Sequence, residues 1–318
     1  MDKNIRLSIV VVISVLLIVL SSCKTNQKET YMGEYKITDI NIFRDTPVWE
    51  LALAVKKQEI QIIKKILQKE PELVNFQEPR YGASLLFWAI GMEKYNSAEV
   101  LLKCGANPNI VSKTHWKTPL FLAAGFSWVD MRAKKDAKYV RLLLRYGADP
   151  NQSPLNGSDK SNGVHKFTIA TKATPLMCSI GCGIEKTKAL VEAGADINYE
   201  SDSGETATVR ALFAGANSTL DGIEYAYYLI VQKKAEVSNP YHISINIEEE
   251  IDNKFFLVDM LRDWIYDLGS KEHKMKMEIV EEFARQGVNY WETKIPSDKM
   301  SQIKKLYPDT WEDYIKKY

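Results

Sequence analysis

The sequence predicts an all-α fold, a solenoid of about six helix-pair units, several of them degenerate or carrying insertions. A leucine-rich helix end followed by Gly and a short turn occurs four times, at residues 101–109, 142–151, 190–198 and 283–289. A phrase that begins with Thr or Ser precedes these turns, at residues 46, 84, 118, 174 and 206. Because a repeated supersecondary unit buries its apolar face against its neighbours, these recurrences indicate a stack.

Each unit is predicted to start with a short helix. The clearest copies read Thr118-Pro119-Leu120 and Thr174-Pro175-Leu176. Thr is a good N-cap, and Pro at the first helical position loses an N–H that has no partner there in any case. The small residues that follow let the helix pack close to its neighbour. We therefore expect Leu120 and Ala123 to be buried.

The second helix of a unit is predicted from the apolar run before each Gly. Residues 139–144 read Tyr-Val-Arg-Leu-Leu-Leu, and Gly147 follows them. Glycine in this place adopts the left-handed conformation that ends a helix. We expect Gly147 to have a positive φ angle, and Val140, Leu142 and Leu143 to be buried.

These phrases resemble the ankyrin repeat, whose pattern is Gly-x-Thr-Pro-Leu-His-x-Ala-Ala, a second helix and Gly-Ala-Asp-x-Asn. The resemblance is most specific at residues 117–124 with 142–151, and at residues 173–180 with 190–198. It implies a period of about 33 residues, with insertions in several units. Residues 255–268 and 277–289 suggest a sixth unit without Thr-Pro, as terminal capping repeats often have.

The fourth place of the Thr-Pro-Leu-His phrase never holds His in this chain. It holds the apolar residues Trp49, Phe87, Phe121, Met177 and Val209. We interpret them as an apolar ladder in which burial replaces hydrogen bonds between repeats. The last segment, residues 296–318, has the apolar spacing of an amphipathic helix. We expect this helix to cap the last unit, since an open stack end would expose apolar surface.

The N-terminus is predicted to be a secretory signal. Lys3 and Arg6 precede an apolar stretch from Leu7 to Leu20, and Ser21-Ser22-Cys23 follows. The stretch is short for a spanning helix. Leu20 to Cys23 resembles the bacterial lipobox, which implies cleavage after residue 22 and lipidation of Cys23. An ordinary signal peptide or an uncleaved N-terminal anchor is the alternative.

We expect four segments, a signal peptide at residues 1–22, a flexible tether at 23–42, a repeat domain at 43–295 and a capping segment at 296–318. Several acyl chains on Cys23 would anchor the chain stably in a membrane. Lys24 stands where an inner-membrane retention signal has Asp. The lipobox resemblance therefore implies an outer-membrane location in the bacterial envelope, facing the periplasm or at the cell surface.

The composition gives no sign of a nucleic-acid partner, since the net charge is +1 and 26% of the residues are charged. Cys178 and Cys182 lie four apart on a predicted first helix, a spacing that could supply two metal ligands. No His or further Cys lies near them in sequence, so we interpret them as small core residues. No zinc-protease pattern or phosphate-binding loop occurs. We expect no catalytic residue, cofactor or metal.

Insertions and loops are where a repeat protein usually binds its partner. One insertion, residues 125–136, separates the helices of the third unit, another is residues 152–167, and a shorter loop is residues 112–117. Aromatic, Met and Arg side chains are enriched at interface cores. The candidate contact residues are Lys113, His115, Trp116, Phe126, Trp128, Met131 and Arg132. The alternative for Phe126 and Trp128 is that they fold back and are buried.

The sequence therefore predicts a lipid-anchored, extracytoplasmic and non-catalytic module that binds a protein partner and is itself a monomer. Two alternatives stay open. One is an immunity protein that neutralises an antibacterial toxin directed at the envelope. The other is an enzyme with an unrecognised site, around His242 or His273. The sequence does not identify the partner.

Overall fold

The computed structural model describes residues 35–113, 117–153, 172–201, 204–216, 222–239 and 256–318. Cys23, His115, Trp116 and most of the 152–167 loop lie outside these ranges. The chain forms two compact parts, Met1–Asp196 and Ile197–Tyr318. Helices dominate both parts, and in the described ranges no helix is long and apolar enough to cross a membrane.

The described residues of the N-terminal part form four helix pairs. The helices are α1 (Trp49–Lys57), α2 (Ile60–Lys69), α3 (Leu85–Gly91), α4 (Tyr95–Lys103), α5 (Pro119–Ala124), α6 (Lys138–Arg145), α7 (Pro175–Ser179) and α8 (Ile184–Glu192), with 3₁₀ helices at Ile40–Phe43 and Pro71–Asn75. First helices contact first helices, as α3–α5 and α5–α7, and second helices contact second helices, as α2–α4 and α6–α8. This stacking confirms the predicted all-α repeat architecture.

The predicted helix starts are confirmed in three of these pairs. The side-chain oxygens of Ser84, Thr118 and Thr174 each accept a hydrogen bond from the N–H three residues later, at 3.2, 3.1 and 3.3 Å. Thr46 is different, because its hydroxyl donates to the carbonyl oxygen of Phe43 at 2.6 Å. Helix α1 begins at Trp49, three residues after Thr46, and no side chain caps its first turn.

The turns after the second helices repeat one hydrogen-bond pattern. Gly105, Gly147 and Gly194 have φ angles of +92°, +84° and +90°. An Asn of the preceding pair bridges to each turn. The side-chain amides of Asn75, Asn109 and Asn151 donate to the carbonyls of Gly105, Gly147 and Gly194 at 3.3, 2.9 and 2.9 Å. The same three side chains accept hydrogen bonds from the backbone N–H groups of Asn107, Asp149 and Asp196 at 2.7, 2.8 and 2.7 Å. The Asn of the turn phrase therefore ties each helix pair to the next.

Replacing Gly147 with Val is expected to lower the free energy of unfolding by about 1–2 kcal/mol, because an L side chain is strained at positive φ. Space is not the cause, since a Cβ at Gly147 would meet nothing within 4 Å. Urea denaturation followed by circular dichroism measures the loss. The matched control is Arg145→Val, at an exposed helical position two residues earlier. Equal losses in the two variants would contradict the assigned turn.

The core of the N-terminal part follows the predicted pattern with two corrections. Leu120, Val140, Leu142 and Leu143 are buried, as are the ladder residues Phe87, Phe121 and Met177. Ala123 is only half-buried, because it lines a surface cleft. Cys182 does not share a helix with Cys178, since α7 ends at Ser179. Both cysteines are buried free thiols, as expected for core residues.

The folded region begins earlier than the predicted tether allows. Ile37, Ile40 and Phe43 are buried, and the 3₁₀ helix Ile40–Phe43 contacts α1. The indole N–H of Trp88 donates to the carbonyl of Thr38 at 3.2 Å. Apolar burial therefore draws residues 35–42 into the fold, and the predicted 23–42 tether is too long at its C-terminal end.

The described residues of the C-terminal part add two more helix pairs and a tail. The elements are α9 (Ala207–Ala216), α10 (Gly222–Ala226) with the π-helix Tyr227–Gln232, the 3₁₀ helices Leu257–Asp263 and Tyr290–Glu292, α11 (Lys271–Arg285), α12 (Ser297–Leu306) and α13 (Trp311–Tyr314). The first helix predicted at 255–268 is thus a short 3₁₀ helix, and α11 begins six residues before the predicted Met277. The tail forms two helices instead of one. Ile303, Tyr314 and Tyr318 bury its apolar face.

Two buried basic side chains, Arg262 and Lys276, hold the tail to the last helix pair. Arg262 donates to Thr293 Oγ1 at 2.8 Å, and its guanidinium lies 3.8 Å from the centre of the Tyr290 ring. Lys276 donates to the carbonyl of Trp264 at 2.8 Å, and its side-chain nitrogen lies 4.0 Å from the centre of the Tyr318 ring. The Arg262 guanidinium over the Tyr290 ring stabilises this contact electrostatically.

We expect Lys276 to make the stability of the C-terminal part rise with pH between its lowered pKa and about 10.5. Burial, with the nearby Arg262 charge, lowers the pKa of Lys276 well below its ordinary value of 10.5. As the pH falls from about 10.5, the unfolded chain binds a proton that the folded chain does not, so folding loses free energy. Urea midpoints measured at several pH values test this. The Lys276→Met variant should show a weaker dependence, and an identical slope would contradict the prediction.

Candidate functional site

The insertion at residues 125–136 forms a hairpin-shaped loop closed by a single antiparallel bridge, called here the 125–136 hairpin. Phe126 and Ala133 form an antiparallel bridge. The N–H of Ser127 donates to the carbonyl of Arg132, and the N–H of Met131 donates to the carbonyl of Ser127, both at 3.0 Å. These bonds give the insertion a defined conformation between α5 and α6.

The first limb of the hairpin is anchored on the preceding helix pair. The Trp128 ring packs edge-to-face on Phe87 with centroids 5.4 Å apart, and it covers Gly91 at the end of α3. The Ser127 hydroxyl donates to the carboxylate of Glu93. Trp128 is therefore half-buried, as the fold-back alternative predicts.

The second limb is anchored on the following helix pair. The backbone of Lys135 passes so close to Gly183 that a Cβ there would lie 2.7 Å from the Lys135 carbonyl oxygen. The start of the first limb reaches the same helix pair, since the ammonium of Lys186, which is buried in α8, donates to the carbonyl of Gly125 at 2.9 Å. The hairpin is thus held by the helix pairs on both sides of its own.

The tip of the hairpin faces solvent. Val129 is 55% exposed and Met131 is 36% exposed, and the side chain of Arg132 is also exposed. Lys134 pairs with Asp130 at 2.5 Å and with Glu93 at 3.7 Å, which fixes the base of the tip. The hydrogen bond from Lys134 lowers the pKa of Asp130, so this carboxylate stays charged. The tip therefore presents two apolar side chains beside an exposed guanidinium.

A shallow cleft, open to solvent, lies beside the hairpin. Phe126, half-buried, contributes to one wall, and Glu93, Asp136 and Tyr139 contribute to the others. Burial, together with the charge of Glu93, raises the pKa of Tyr139, so the phenol is neutral. In the described ranges no group of three His, Cys, Asp or Glu side chains could hold a metal ion.

The structure brings together four of the seven residues proposed from sequence. Phe126, Trp128, Met131 and Arg132 share the hairpin, but only Met131 and Arg132 reach the exposed tip. Lys113 lies exposed in a different turn, where its N–H donates to the carbonyl of Tyr81 at 2.7 Å. His115 and Trp116 lie outside the described residues. Val129 was not among the sequence candidates, although an apolar residue in the middle of an insertion is a signal that could have identified it.

Replacing Trp128 with Ala is expected to release the hairpin from α3. Losing the aromatic contact should lower the local opening free energy by about 1–2 kcal/mol, and trypsin should then cleave at Arg132, Lys134 and Lys135 roughly tenfold faster. Mass spectrometry of a time course measures the cleavage. The control is Trp291→Ala, since this Trp is 49% exposed in the C-terminal part. Unchanged cleavage in Trp128→Ala would show that the ring does not hold the hairpin.

Comparison with known proteins agrees with this architecture. A family model described as "Ankyrin repeat" matches residues 115–153, which include α5, the hairpin, α6 and the following turn. An ankyrin repeat domain from Acinetobacter baumannii AYE superposes with a TM-score of 0.51 at 19% identity, over 75% of this chain and 98% of that one.

Curated proteins are similar at the sequence level. Ankyrin repeat and SOCS box protein 6 of Mus musculus is 25% identical over 196 residues, which are 62% of this chain and 40% of that protein. The nuclear factor NF-kappa-B p105 subunit of Gallus gallus is 27% identical over 163 residues, 49% of this chain and 14% of that protein. The chain thus spans less than half the length of these relatives. The chain therefore has an ankyrin-repeat fold, with one repeat matched in sequence at residues 115–153.

Proposed function

We propose that this chain is a non-catalytic module that binds a protein partner with the 125–136 hairpin. In this proposal a lipid on Cys23 holds the module at the bacterial envelope. Ankyrin repeats generally mediate protein–protein interaction, and such stacks expose surfaces. The single observation that carries the choice of site is a hairpin fixed on both limbs whose apolar tip faces solvent.

The fixed limbs matter because a preorganised loop loses little conformational entropy on binding. Trp128 and Lys186 hold the first limb on α3 and α8, and the backbone of Lys135 in the second limb lies against Gly183 at the start of α8. The tip then offers Val129 and Met131 for burial, and Arg132 for a charge-assisted hydrogen bond. This combination is typical of interface cores, where Met and Arg are enriched.

The proposed anchor rests on the residues before the fold. An apolar stretch from Leu7 to Leu20 runs into Ser21-Ser22-Cys23, which resembles a lipobox. Residues 24–34 would then link the lipid to the folded region and can span at most about 40 Å. Because Lys24 replaces the Asp of inner-membrane retention, we place the protein at the outer membrane. The periplasmic side is our first choice.

The binding site is tested by replacing the tip. Affinity capture with the double variant Val129→Asp/Met131→Asp should lose a protein that the parent chain captures from envelope extract, because charges would be buried in an apolar contact. The matched control is Leu306→Asp, since Leu306 is an exposed apolar residue of the C-terminal part. Retention of every partner by the tip variant would exclude the hairpin.

The anchor is tested separately. The Cys23→Ser variant should no longer incorporate a fatty-acid probe and should leave the membrane fraction, because the thiol that takes the lipid is gone. Cys104→Ser is the matched control, since Cys104 is a free thiol within the fold. Unchanged labelling of Cys23→Ser would remove the lipoprotein part of the proposal and leave the binding site to be judged by the tip variant.

A further inference from the structure

The outer face of α2 differs from the rest of the N-terminal surface. Between residues 60 and 69 the helix reads IQIIKKILQK, with three lysines and no acidic residue. Ile63 and Leu67 point into the core, and the opposite side carries Lys64, Lys65 and Lys69, all exposed. At 3.6 residues per turn these positions lie on one side of the helix.

Ile62 lies on the same exposed side. It is 46% exposed, an unusual position for a large apolar side chain on a lysine-rich face. The face thus combines three basic side chains with one apolar side chain, and clustered basic side chains are attracted to anionic lipid surfaces.

None of the three lysines of α2 forms an ion pair with the part of the chain that the structure describes. The other second helices differ in this respect. Arg141 of α6 pairs with Glu185 of α8 at 2.9 Å, and Lys103 of α4 pairs with Glu99 at 3.1 Å. The α2 face therefore keeps its positive charge available for an external anion.

The position of α2 in the chain places this face near the proposed anchor. Residues 24–34 separate Cys23 from Tyr35, whose carbonyl accepts a hydrogen bond from the Tyr81 hydroxyl at 2.9 Å. The 3₁₀ helix Ile40–Phe43 contacts α1, and α1 packs on α2. The chain therefore enters the fold at the N-terminal end of the stack, in contact with Tyr81, with Trp88 of α3 and then with α1.

We propose that Lys64, Lys65 and Lys69 lie on anionic phospholipid headgroups and that Ile62 enters the headgroup layer. The proposal rests on the proposed lipid anchor, which brings the face to the bilayer. Each lysine near an anionic surface contributes about 1 kcal/mol, so three would raise the equilibrium constant for the membrane-bound orientation roughly 100-fold. The effect is to give the module a fixed orientation at the membrane instead of free rotation on its tether.

Lysine footprinting on the lipidated full-length protein tests this. The protein is bound to vesicles of phosphatidylcholine alone or of phosphatidylcholine with phosphatidylglycerol, and acetylation of each lysine is followed by mass spectrometry. We expect Lys64, Lys65 and Lys69 to react at least about fivefold more slowly on the anionic vesicles, with the protection lost at high salt. Lys274, Lys294 and Lys305, exposed in the C-terminal part, should react equally on both.

The possible results separate this proposal from the anchor. Binding to neutral vesicles reports the lipid, and its absence would overturn the anchor. Equal acetylation of the three α2 lysines on both vesicles would overturn the lysine face, whether or not the anchor holds. Protection of the control lysines instead would also overturn it. In the variant Lys64→Gln/Lys65→Gln/Lys69→Gln, a trypsin footprint of Lys56 and Lys57 should no longer depend on phosphatidylglycerol.

Discussion

Replacing Leu143 with Ala is expected to lower the free energy of unfolding by about 2–5 kcal/mol. Leu143 has 0% of its surface exposed, in a helix that contacts both its own partner α5 and the neighbouring α8. The substitution removes buried methyl groups and leaves a cavity that two packed helices cannot readily close. Urea denaturation followed by circular dichroism measures the loss, and Leu120→Ala should behave alike.

Leu144 provides the matched control for this experiment. It has the same side chain in the next position of α6 but is only half-buried. Leu144→Ala should cost less than half as much, and Lys113→Ala, at an exposed loop position, no more than about 0.5 kcal/mol. If the Leu144 or Lys113 variants lose as much as Leu143→Ala, the assigned register of the repeat is wrong.

Replacing Trp264 with Ala is expected to be the most damaging change in the C-terminal part, at about 3–5 kcal/mol. The side chain is almost fully buried, its ring lies against Gly215, and its indole N–H donates to the carbonyl of Leu212 at 3.1 Å. It therefore joins the last helix pair to α9. Denaturation followed by circular dichroism reports the loss.

Two further variants separate the effect of losing the hydrogen bond to Leu212 from the effect of losing a buried Trp side chain. Trp264→Phe keeps most of the apolar contact but leaves the Leu212 carbonyl without its donor, so we expect an intermediate loss of about 1–3 kcal/mol. Trp291→Ala removes the same kind of side chain from an exposed position and should cost little. A loss in Trp291→Ala as large as in Trp264→Ala would contradict the assigned core.

The features that the sequence predicted correctly are those with a local physical cause. Thr118 and Thr174 cap helices because a hydroxyl three residues before an N–H can accept its hydrogen bond, and Gly147 takes positive φ because it lacks a Cβ. The same rule failed at Thr46, whose side chain bonds back to the Phe43 carbonyl while the helix starts after Val48. That choice depends on how residues 40–43 fold, which the phrase itself does not encode.

The site was less predictable because tertiary packing decides it. The sequence left two readings for Phe126 and Trp128, and the structure turns Trp128 inward because Gly91 leaves room beside Phe87. Nothing within residues 125–136 reveals that distant glycine. The 3₁₀ helix Leu257–Asp263 was missed for a similar reason, since a short apolar run does not distinguish helix types.

The central claim, that the hairpin tip is the binding surface, is tested most directly by site-specific photo-crosslinking. A photoreactive amino acid is placed at Val129, at Met131 or, as a control, at Leu306 of the full-length chain, and the cells are irradiated. We expect the same protein to be crosslinked from Val129 and from Met131, and we expect no crosslink to that protein from Leu306. Crosslinks only from Leu306, or none from either tip position, would contradict it.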